Sequence, residues 1–291
     1  MAVSRVEIED FRVFKGEFAV DFCKGVNVII GGNGTGKTTL LKAMYSDYAR
    51  QYGNIVALHR YQNRVNIIID GEKITSNIFI PEKDILEHAK GLLTFIAQKP
   101  TGFSGIYKDV LISALDVPMQ EQSEMQKSIG QKVVNIIGGT VEWVQSEGTY
   151  YTIKTDGNRI PFSDEASGFK KFGYLGLLVA SGQLEPGAIL FWDEPENSLN
   201  PELIPELVDI LLKLSRIGVQ IFVATHNYTF AKHIDIKREN TDNVLFLSLY
   251  KDEAGIIKNT TANSYSELEN NPIEEASENL FNAVIEKAMG G

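Results

Sequence analysis

The chain has 291 residues, of which 43% are hydrophobic and 23% charged. Lys and Arg number 28 against 38 Asp and Glu, so the formal net charge of −10 has the wrong sign for a protein that coats nucleic acid nonspecifically. Cys23 is the one cysteine, no apolar run approaches the ~18 residues of a membrane-spanning helix, and charges interrupt residues 1–20. We therefore expect a globular, cytoplasmic protein without a disulfide, signal peptide or transmembrane segment.

The first part of the chain predicts strands that lead into a glycine-rich loop. VSRVEIEDF (3–11), GEFAVDF (16–22) and GVNVII (25–30) are strand candidates, and the last is a short, β-branched run typical of a buried strand. After the loop, TTLLKAMYSDYA (38–49) places apolar residues at helical spacing. The order strand, loop, helix is therefore predicted around the glycines.

The middle of the chain changes pattern twice. Residues 54–80 alternate enough to predict further strands, with a turn at Asp70 and Gly71. DILEHAKGLLTFIA (84–97) and IYKDVLISALDV (106–117) predict helices. KVVNIIGGTVEWV (132–144) and GTYYTIKT (148–155) predict a hairpin that returns to the main sheet.

Two helix and strand units follow. GFKKFGYLGLLVASGQ (168–183) leads to AILFWDEPE (188–196), and PELIPELVDILLKLSRIG (201–218) leads to VQIFVATHN (219–227). The second helix has a core-facing stripe of Leu203, Leu207, Leu211 and Leu214. This alternation predicts an α/β fold with a largely parallel sheet. A terminal helix is predicted over residues 274–289, interpreted as a helix that caps the domain.

The segment GGNGTGKT fits the pattern G-x-x-x-x-G-K-[ST] of a phosphate-binding loop. In such a loop the glycines turn backbone N–H groups onto phosphate oxygens, Lys37 reaches the β and γ phosphates, and Thr38 offers its hydroxyl to Mg²⁺. The sequence therefore predicts ATP and Mg²⁺ as cofactors. The candidate nucleotide contacts in this loop are Gly31, Asn33, Gly34, Thr35, Gly36, Lys37, Thr38 and Thr39.

Two carboxylates end the apolar strand ILFWDEPE. Asp193 is the predicted metal ligand, and Glu194 is the predicted base that faces the attacking water. Taken alone, such an acidic pair could also begin a helix, where carboxylates are favoured. His226 ends QIFVATH, so a parallel sheet would place it at the same edge as the loop and the acids, where it could contact the γ-phosphate. Its other interpretation is a capping or core histidine.

With these segments identified, the chain resembles the ABC-type ATPases, in the branch of the SMC, RecF-like and OLD proteins. The resemblance covers roughly residues 1–250 and is carried by EIEDFRVF, GGNGTGKT, EASGFKK, ILFWDEPENSLNP and VATHN, in the family's order. It implies a P-loop NTPase of ABC-ATPase type, with a mixed sheet core (1–81 and 131–262), an inserted helical subdomain (82–130) and a C-terminal helical tail (263–291).

The resemblance also implies a site shared between two subunits. EASGFKK resembles the signature motif, whose Ser167 and Gly168 would contact the γ-phosphate of ATP held by the other subunit. A serine at a helix start suits an anion, although a simple N-cap is the other interpretation. NSLNP resembles the D-loop, which would place Ser198 and Asn200 across the seam from Asn33. Two further nucleotide contacts are implied at Arg12 and, for the Q-loop, Gln98, with Gln62 as a weaker candidate.

Differences between this sequence and the transporters and SMC proteins of the family reduce the number of possible functions. ASGFK differs from the LSGGQ of transporters, and the insertion is too short for the coiled coil of SMC proteins. The first hypothesis is an ATP-dependent homodimer that regulates a separate effector such as a nuclease or toxin, as in phage defence. The second is a RecF-like DNA-binding ATPase, and the third a small-molecule phosphotransferase, against which the signature segment argues. Lys170 and Lys171 are interpreted as a solvated helix face, with a local basic patch as the alternative.

Overall fold

The computed structural model of the protein describes residues 2–52, 65–70, 74–83, 86, 89, 105–115, 118, 119 and 121–289. The strands are β1 (Ala2–Phe11), β2 (Phe14–Asp21), β3 (Val26–Gly31), β4 (Val65–Asp70), β5 (Asn77–Ile80), β6 (Gly139–Val144), β7 (Thr149–Lys154), β8 (Arg159–Pro161), β9 (Ile189–Asp193), β10 (Gln220–Thr225), β11 (Val244–Lys251) and β12 (Ile257–Ala262). The helices are α1 (Lys37–Tyr52), α2 (Gly105–Ala114), α3 (Glu124–Ile137), α4 (Ser167–Ala180), α5 (Ile204–Arg216), α6 (Tyr228–Lys237) and α7 (Pro272–Ala288).

The chain divides into two compact units. Unit 1 is formed by residues 1–72 and 220–291, and unit 2 by residues 73–219. The mixed α/β organisation predicted from the sequence is confirmed in both. The predicted boundaries at residues 81, 131 and 262 stay a prediction.

In unit 1, a parallel group of strands delivers the chain to the glycine-rich loop. β3 lies between β10 and β11 and runs parallel to both, and β12 pairs antiparallel with β11. Every residue of β3 and β10 is buried, as expected for parallel strands covered on both faces. A second, antiparallel sheet has the order β2-β1-β4, and α1 packs against β4 and β10.

In unit 2, β5 and β9 pair in parallel, with Ile80 opposite Trp192. All five residues of β9 are buried. The helix α4 packs against α2 and α3, and Gly176 permits a close approach to α3, since a Cβ there would lie 3.1 Å from a methyl carbon of Val133. In α5, the predicted stripe is buried at Leu207, Leu211 and Leu214, whereas Leu203 precedes the helix and is half-buried.

The hairpin predicted over residues 132–155 is wrong in its first half. Residues 132–137 belong to α3, because Ser123 and Gln126 form a capping box at its start and Gly138 ends it in the left-handed conformation. The β-branched run VVNII resembles a strand, yet Ile129, Val133 and Ile137 are buried at helical spacing. β6, β7 and β8 then form a three-stranded sheet of their own rather than returning to the main sheet.

The predicted terminal helix exists as α7, which contacts β3 and α6, while its role as a cap stays a prediction. None of its residues is buried, and Leu280, Phe281 and Val284 are mostly exposed. Among the described residues, no helix combines the length and the apolar content needed to cross a membrane. The helix predicted over residues 84–97 lies outside the described residues except for Leu86 and Ala89.

Candidate functional site

The glycine-rich loop of unit 1 joins the end of β3 to the start of α1. Gly31 is the last residue of β3 and Lys37 is the first residue of α1. Inside the loop, the Thr35 hydroxyl donates to the Gly32 carbonyl at 2.9 Å, which tightens the turn. Asn33 and Gly34 are exposed at the tip. The strand, loop and helix order predicted from the sequence is therefore present.

Two glycines of this loop are required by close approaches. A Cβ on Gly31 would lie 2.4 Å from the Leu249 carbonyl oxygen of the neighbouring strand β11. Gly36 has φ of +95°, and a Cβ there would lie 2.9 Å from the ring of Phe14. A side chain at either position would therefore push the loop away from the strands that hold it.

The loop residues fit an ATP phosphate chain with Mg²⁺. Lys37 is 7% exposed, and its ammonium donates to the carbonyls of Gly31 (2.7 Å) and Gly32 (3.2 Å), at the loop itself. α1 has no acidic residue in its first turn, so that turn adds no negative charge to the positive N-terminal end of the helix. Thr38 and Thr39 follow in that turn and are half-buried. A buried cation and a helix N-terminus together make a binding site for phosphate oxygens.

His226 lies in unit 1 at the same edge as the loop. It follows directly after Thr225, which pairs with Ile30 in the parallel register of β10 and β3. His226 is thus level with Gly31 at the carboxyl ends of the strands, and it is exposed. Asn227 caps α6 by accepting from the Phe230 N–H at 3.0 Å, so the capping role considered for the histidine belongs to Asn227.

Arg12 occupies the turn between β1 and β2, also in unit 1. Its φ is +54°, and its guanidinium carbon lies 5.5 Å from the centroid of the Phe11 ring. The next residues of this turn, Val13 and Phe14, border Gly36 of the loop. The structure therefore places the Arg12 turn beside the glycine-rich loop, while its role as a nucleotide contact stays a prediction.

The acidic pair lies in unit 2, at the carboxyl end of β9. Asp193 is the last residue of the strand and is buried. Glu194 follows with φ of +50°, a left-handed conformation that is uncommon outside glycine. Such conformations cost on the order of 1–3 kcal/mol and persist where the surroundings fix them. The helix-cap interpretation fails for the pair, because Asn200 is the residue that caps the following turn, accepting from the Glu202 N–H at 3.3 Å.

The signature segment and the D-loop meet within unit 2. Ser167 is the first residue of α4 and is exposed, and the cap position is held by Ala166, which makes no side-chain cap hydrogen bond. The simple N-cap interpretation of Ser167 is therefore wrong. A Cβ on Gly168 would lie 2.9 Å from Leu199, so the D-loop packs directly on the start of α4. Ser198, with φ of +60°, and Asn200 are exposed beside this contact.

The two lysines of α4 are buried, contrary to both interpretations of them from the sequence. Lys170 and Lys171 are 6% and 8% exposed, so they form neither a solvated face nor a basic patch. The Lys170 ammonium donates to the Ser163 carbonyl at 2.8 Å, and that of Lys171 to the carbonyls of Glu194 and Pro195. The signal was present in the sequence, since Lys171 shares the helix face of Gly168 and Leu175, three residues before and four after it. Gln98 and Gln62 lie outside the described residues.

Two known protein families match most of the chain. The family described as "AAA domain, putative AbiEii toxin, Type IV TA system" matches residues 57–231, and a second, described as "AAA domain", matches residues 5–46. The two matches together include the glycine-rich loop, the signature segment, the acidic pair and His226.

Curated relatives and solved structures agree on the fold. The chain is 24% identical over 243 residues to the histidine/lysine/arginine/ornithine transport ATP-binding protein HisP of Escherichia coli, covering 80% of this chain and 85% of HisP. It is 23% identical to the glutamine transport ATP-binding protein GlnQ of Bacillus subtilis, covering 95% of this chain and 94% of GlnQ. The SMC head bound to the C-winged helix domain of ScpA matches with a TM-score of 0.56 at 13% identity, covering 92% of this chain and 99% of that one. An SMC head from Pyrococcus furiosus matches with a TM-score of 0.53 at 10% identity, covering 97% of this chain and 99% of that one.

Proposed function

We propose that this chain, which belongs to the AAA-domain family described as "putative AbiEii toxin, Type IV TA system", dimerises around ATP and regulates a separate effector protein. The chain is an ABC-type P-loop ATPase that uses ATP and Mg²⁺. Beyond ATPase activity, dimerisation around ATP is supported by the structure of the start of α4. There, Ser167 is exposed at a helix N-terminus that lacks both a side-chain cap and an acidic residue in its first turn.

Such a helix start suits the phosphate of a nucleotide, because its free N–H groups and positive end favour an anion. Among the described residues, α1 with its glycine-rich loop and α4 with Ser167 are both helix starts of this kind. In ABC-type ATPases, the helix start that corresponds to α4 contacts the nucleotide held by the opposite subunit. We assign Ser167, Gly168, Ser198 and Asn200 to that contact across the dimer seam.

Within each site, Lys37 would neutralise the β and γ phosphates, and Thr38 and Asp193 would hold the metal. Mg²⁺, when bound, neutralises charge that develops on the phosphate oxygens. Glu194 would accept a proton from the attacking water, and His226 would contact the γ-phosphate. Arg12 and the remaining loop residues would bind the nucleotide without taking part in proton transfer.

The effector role rests on the family and on the departures from transporters. The family's description names a putative toxin and a type IV TA system, which supports a role beside a partner protein of such a system rather than in transport. ATP-driven closure of the dimer would then present or withdraw the surface that the effector binds. Copurification from the native host, with and without a non-hydrolysable ATP analogue, tests this step. Recovery of the chain alone in both states would refute it.

The shared site is tested by mixing two inactive variants. Ser167→Arg should retain ATP binding through Lys37 but lose hydrolysis, because a bulky cation would occupy the γ-phosphate position. Lys37→Ala should lose binding. A heterodimer of the two keeps one site with both residues intact, so activity should partly return. Normal hydrolysis by Ser167→Arg alone would rule out the shared site.

A RecF-like DNA clamp is the second candidate, favoured by the fold shared with SMC heads. The net charge of −10 argues against it. Stimulation of the ATPase by duplex DNA, lost steeply as salt rises, would support the clamp. Equal turnover with and without DNA at low salt would exclude it.

A further inference from the structure

Lys171, a buried lysine of α4, donates hydrogen bonds to the turn that follows β9. The Lys171 ammonium donates to the Glu194 carbonyl at 3.0 Å and to the Pro195 carbonyl at 3.1 Å. An ammonium taken out of water requires hydrogen-bond acceptors around it, and hydrogen bonds from a charged donor are stronger than neutral ones. At 8% exposure, Lys171 therefore binds this turn firmly.

The same turn contains backbone that needs such support. Glu194 is a non-glycine residue at φ of +50°, and its carbonyl also accepts from the Asn197 N–H at 3.1 Å. Two donors on one carbonyl fix the plane of the peptide that follows Glu194. Because the Cα–Cβ direction is set by the backbone conformation, fixing that plane also sets the direction in which the Glu194 side chain leaves the backbone.

We infer that Lys171 is the positioning residue of Glu194: it holds the left-handed backbone that aims the carboxylate. This inference rests on the proposed role of Glu194 as the base. Lys171 donates to main-chain carbonyls of the turn and would therefore affect the reaction by way of Glu194. A misplacement of about 1 Å in a reacting group can lower a rate roughly 100-fold, which sets the expected size of the effect.

The chain offers a matched control in the adjacent residue. Lys170 is buried to the same degree and donates to the Ser163 carbonyl, on the segment that precedes α4. Lys171→Met and Lys170→Met therefore each remove one buried ammonium from the same helix. Lys171→Arg keeps donors for both carbonyls of the turn.

The first measurement is amide hydrogen exchange of the nucleotide-free protein. Lys171→Met should speed exchange in a peptide covering residues 193–199, because the Asn197 N–H depends on the position of the Glu194 carbonyl. Lys170→Met should leave exchange in this peptide unchanged, and Lys171→Arg should restore it. Wild-type exchange in folded Lys171→Met would overturn the inference without any reference to activity.

The second measurement separates kcat from ATP binding. Lys171→Met should lower kcat roughly 100-fold with ATP affinity retained, Lys170→Met should lower it far less, and Lys171→Arg should recover most turnover. Thermal unfolding of each variant identifies any loss of folding. If the two methionine variants lose turnover equally at equal stability, Lys171 has only a structural role.

The double variant completes the test. In a Glu194→Gln background, Lys171→Met should not further lower the residual hydrolysis, measured over a single turnover, since the base that it positions is already absent. A further loss as large as in the wild type would overturn the inference. If Glu194→Gln itself hydrolyses ATP normally, the proposed role of Glu194 fails instead, so the two failures are distinguishable.

Discussion

Gly31→Ala tests the loop geometry most directly, because the added methyl group would meet the backbone of the neighbouring strand β11. The new Cβ would lie 2.4 Å from the Leu249 carbonyl oxygen and 2.7 Å from the Thr35 hydroxyl oxygen. Carbon to oxygen contacts in sheets lie at about 3.3–3.6 Å. The Leu249 carbonyl belongs to backbone held in parallel register with Gly31. Relief therefore requires β3 and β11 to separate by roughly 1 Å.

Overpacking of this kind typically costs about 1–3 kcal/mol. For a chain of this size, each kcal/mol lowers the melting temperature by about 2–4 °C, so we expect a fall of roughly 2–12 °C. ATP affinity should fall as well, at least about tenfold, since Lys37 is held by the Gly31 carbonyl and a shift of about 1 Å is large for charged contacts.

The neighbouring glycine supplies the control. A Cβ on Gly32 would meet nothing within 4 Å, and Gly32 has no positive φ. Gly32→Ala should therefore melt within about 2 °C of the wild type, as expected for a change of about 0.5 kcal/mol. The assays are thermal unfolding by circular dichroism and ATP binding by calorimetry. If Gly31→Ala melts and binds ATP like Gly32→Ala, the close approach of the loop to β11 is refuted.

Three further predictions concern single groups. Lys37→Ala should abolish ATP binding in calorimetry, because it removes the cation at the loop, and unchanged affinity would contradict the phosphate-binding assignment. Glu194→Gln should keep ATP bound and accumulate an ATP-bound dimer in light scattering while turnover stops, since an amide cannot accept the proton; wild-type turnover would exclude Glu194 as the base. Burial raises the pKa of Cys23 to about 11, so native protein should resist iodoacetamide at pH 8, whereas unfolded protein should react; equal rates would contradict this burial.

The same thiol affects stability in a defined pH window. The folded pKa of Cys23 is raised above that of an ordinary thiol, so the neutral form is the one that folding favours. Its contribution to stability is therefore complete below about pH 8.5 and is lost as the pH rises towards 11. Cys23→Ser should remove this part of the alkaline dependence.

The amino-acid sequence by itself determined the glycine-rich loop, the acidic pair and the order of the elements around them. These features are local, because a phosphate loop needs glycines and a lysine at fixed spacing, and a buried parallel strand needs a continuous apolar run. GVNVII and ILFWD could be assigned for that reason. The fold class followed from their alternation with helices, and the family comparison agrees with it.

Only the tertiary structure decided how individual side chains are used. VVNII carries a strand-like pattern, but a capping box and packing against α4 make it helical. The sequence interpretation placed Lys171 at the surface, yet it is buried, and two carbonyls of a distant turn accept hydrogen bonds from its ammonium. α7 is amphipathic in sequence, yet the described residues leave its apolar face exposed. For Lys171 and for the packing of VVNII on α4, the deciding partner lies far away along the chain, and local propensity carries no information about such a partner.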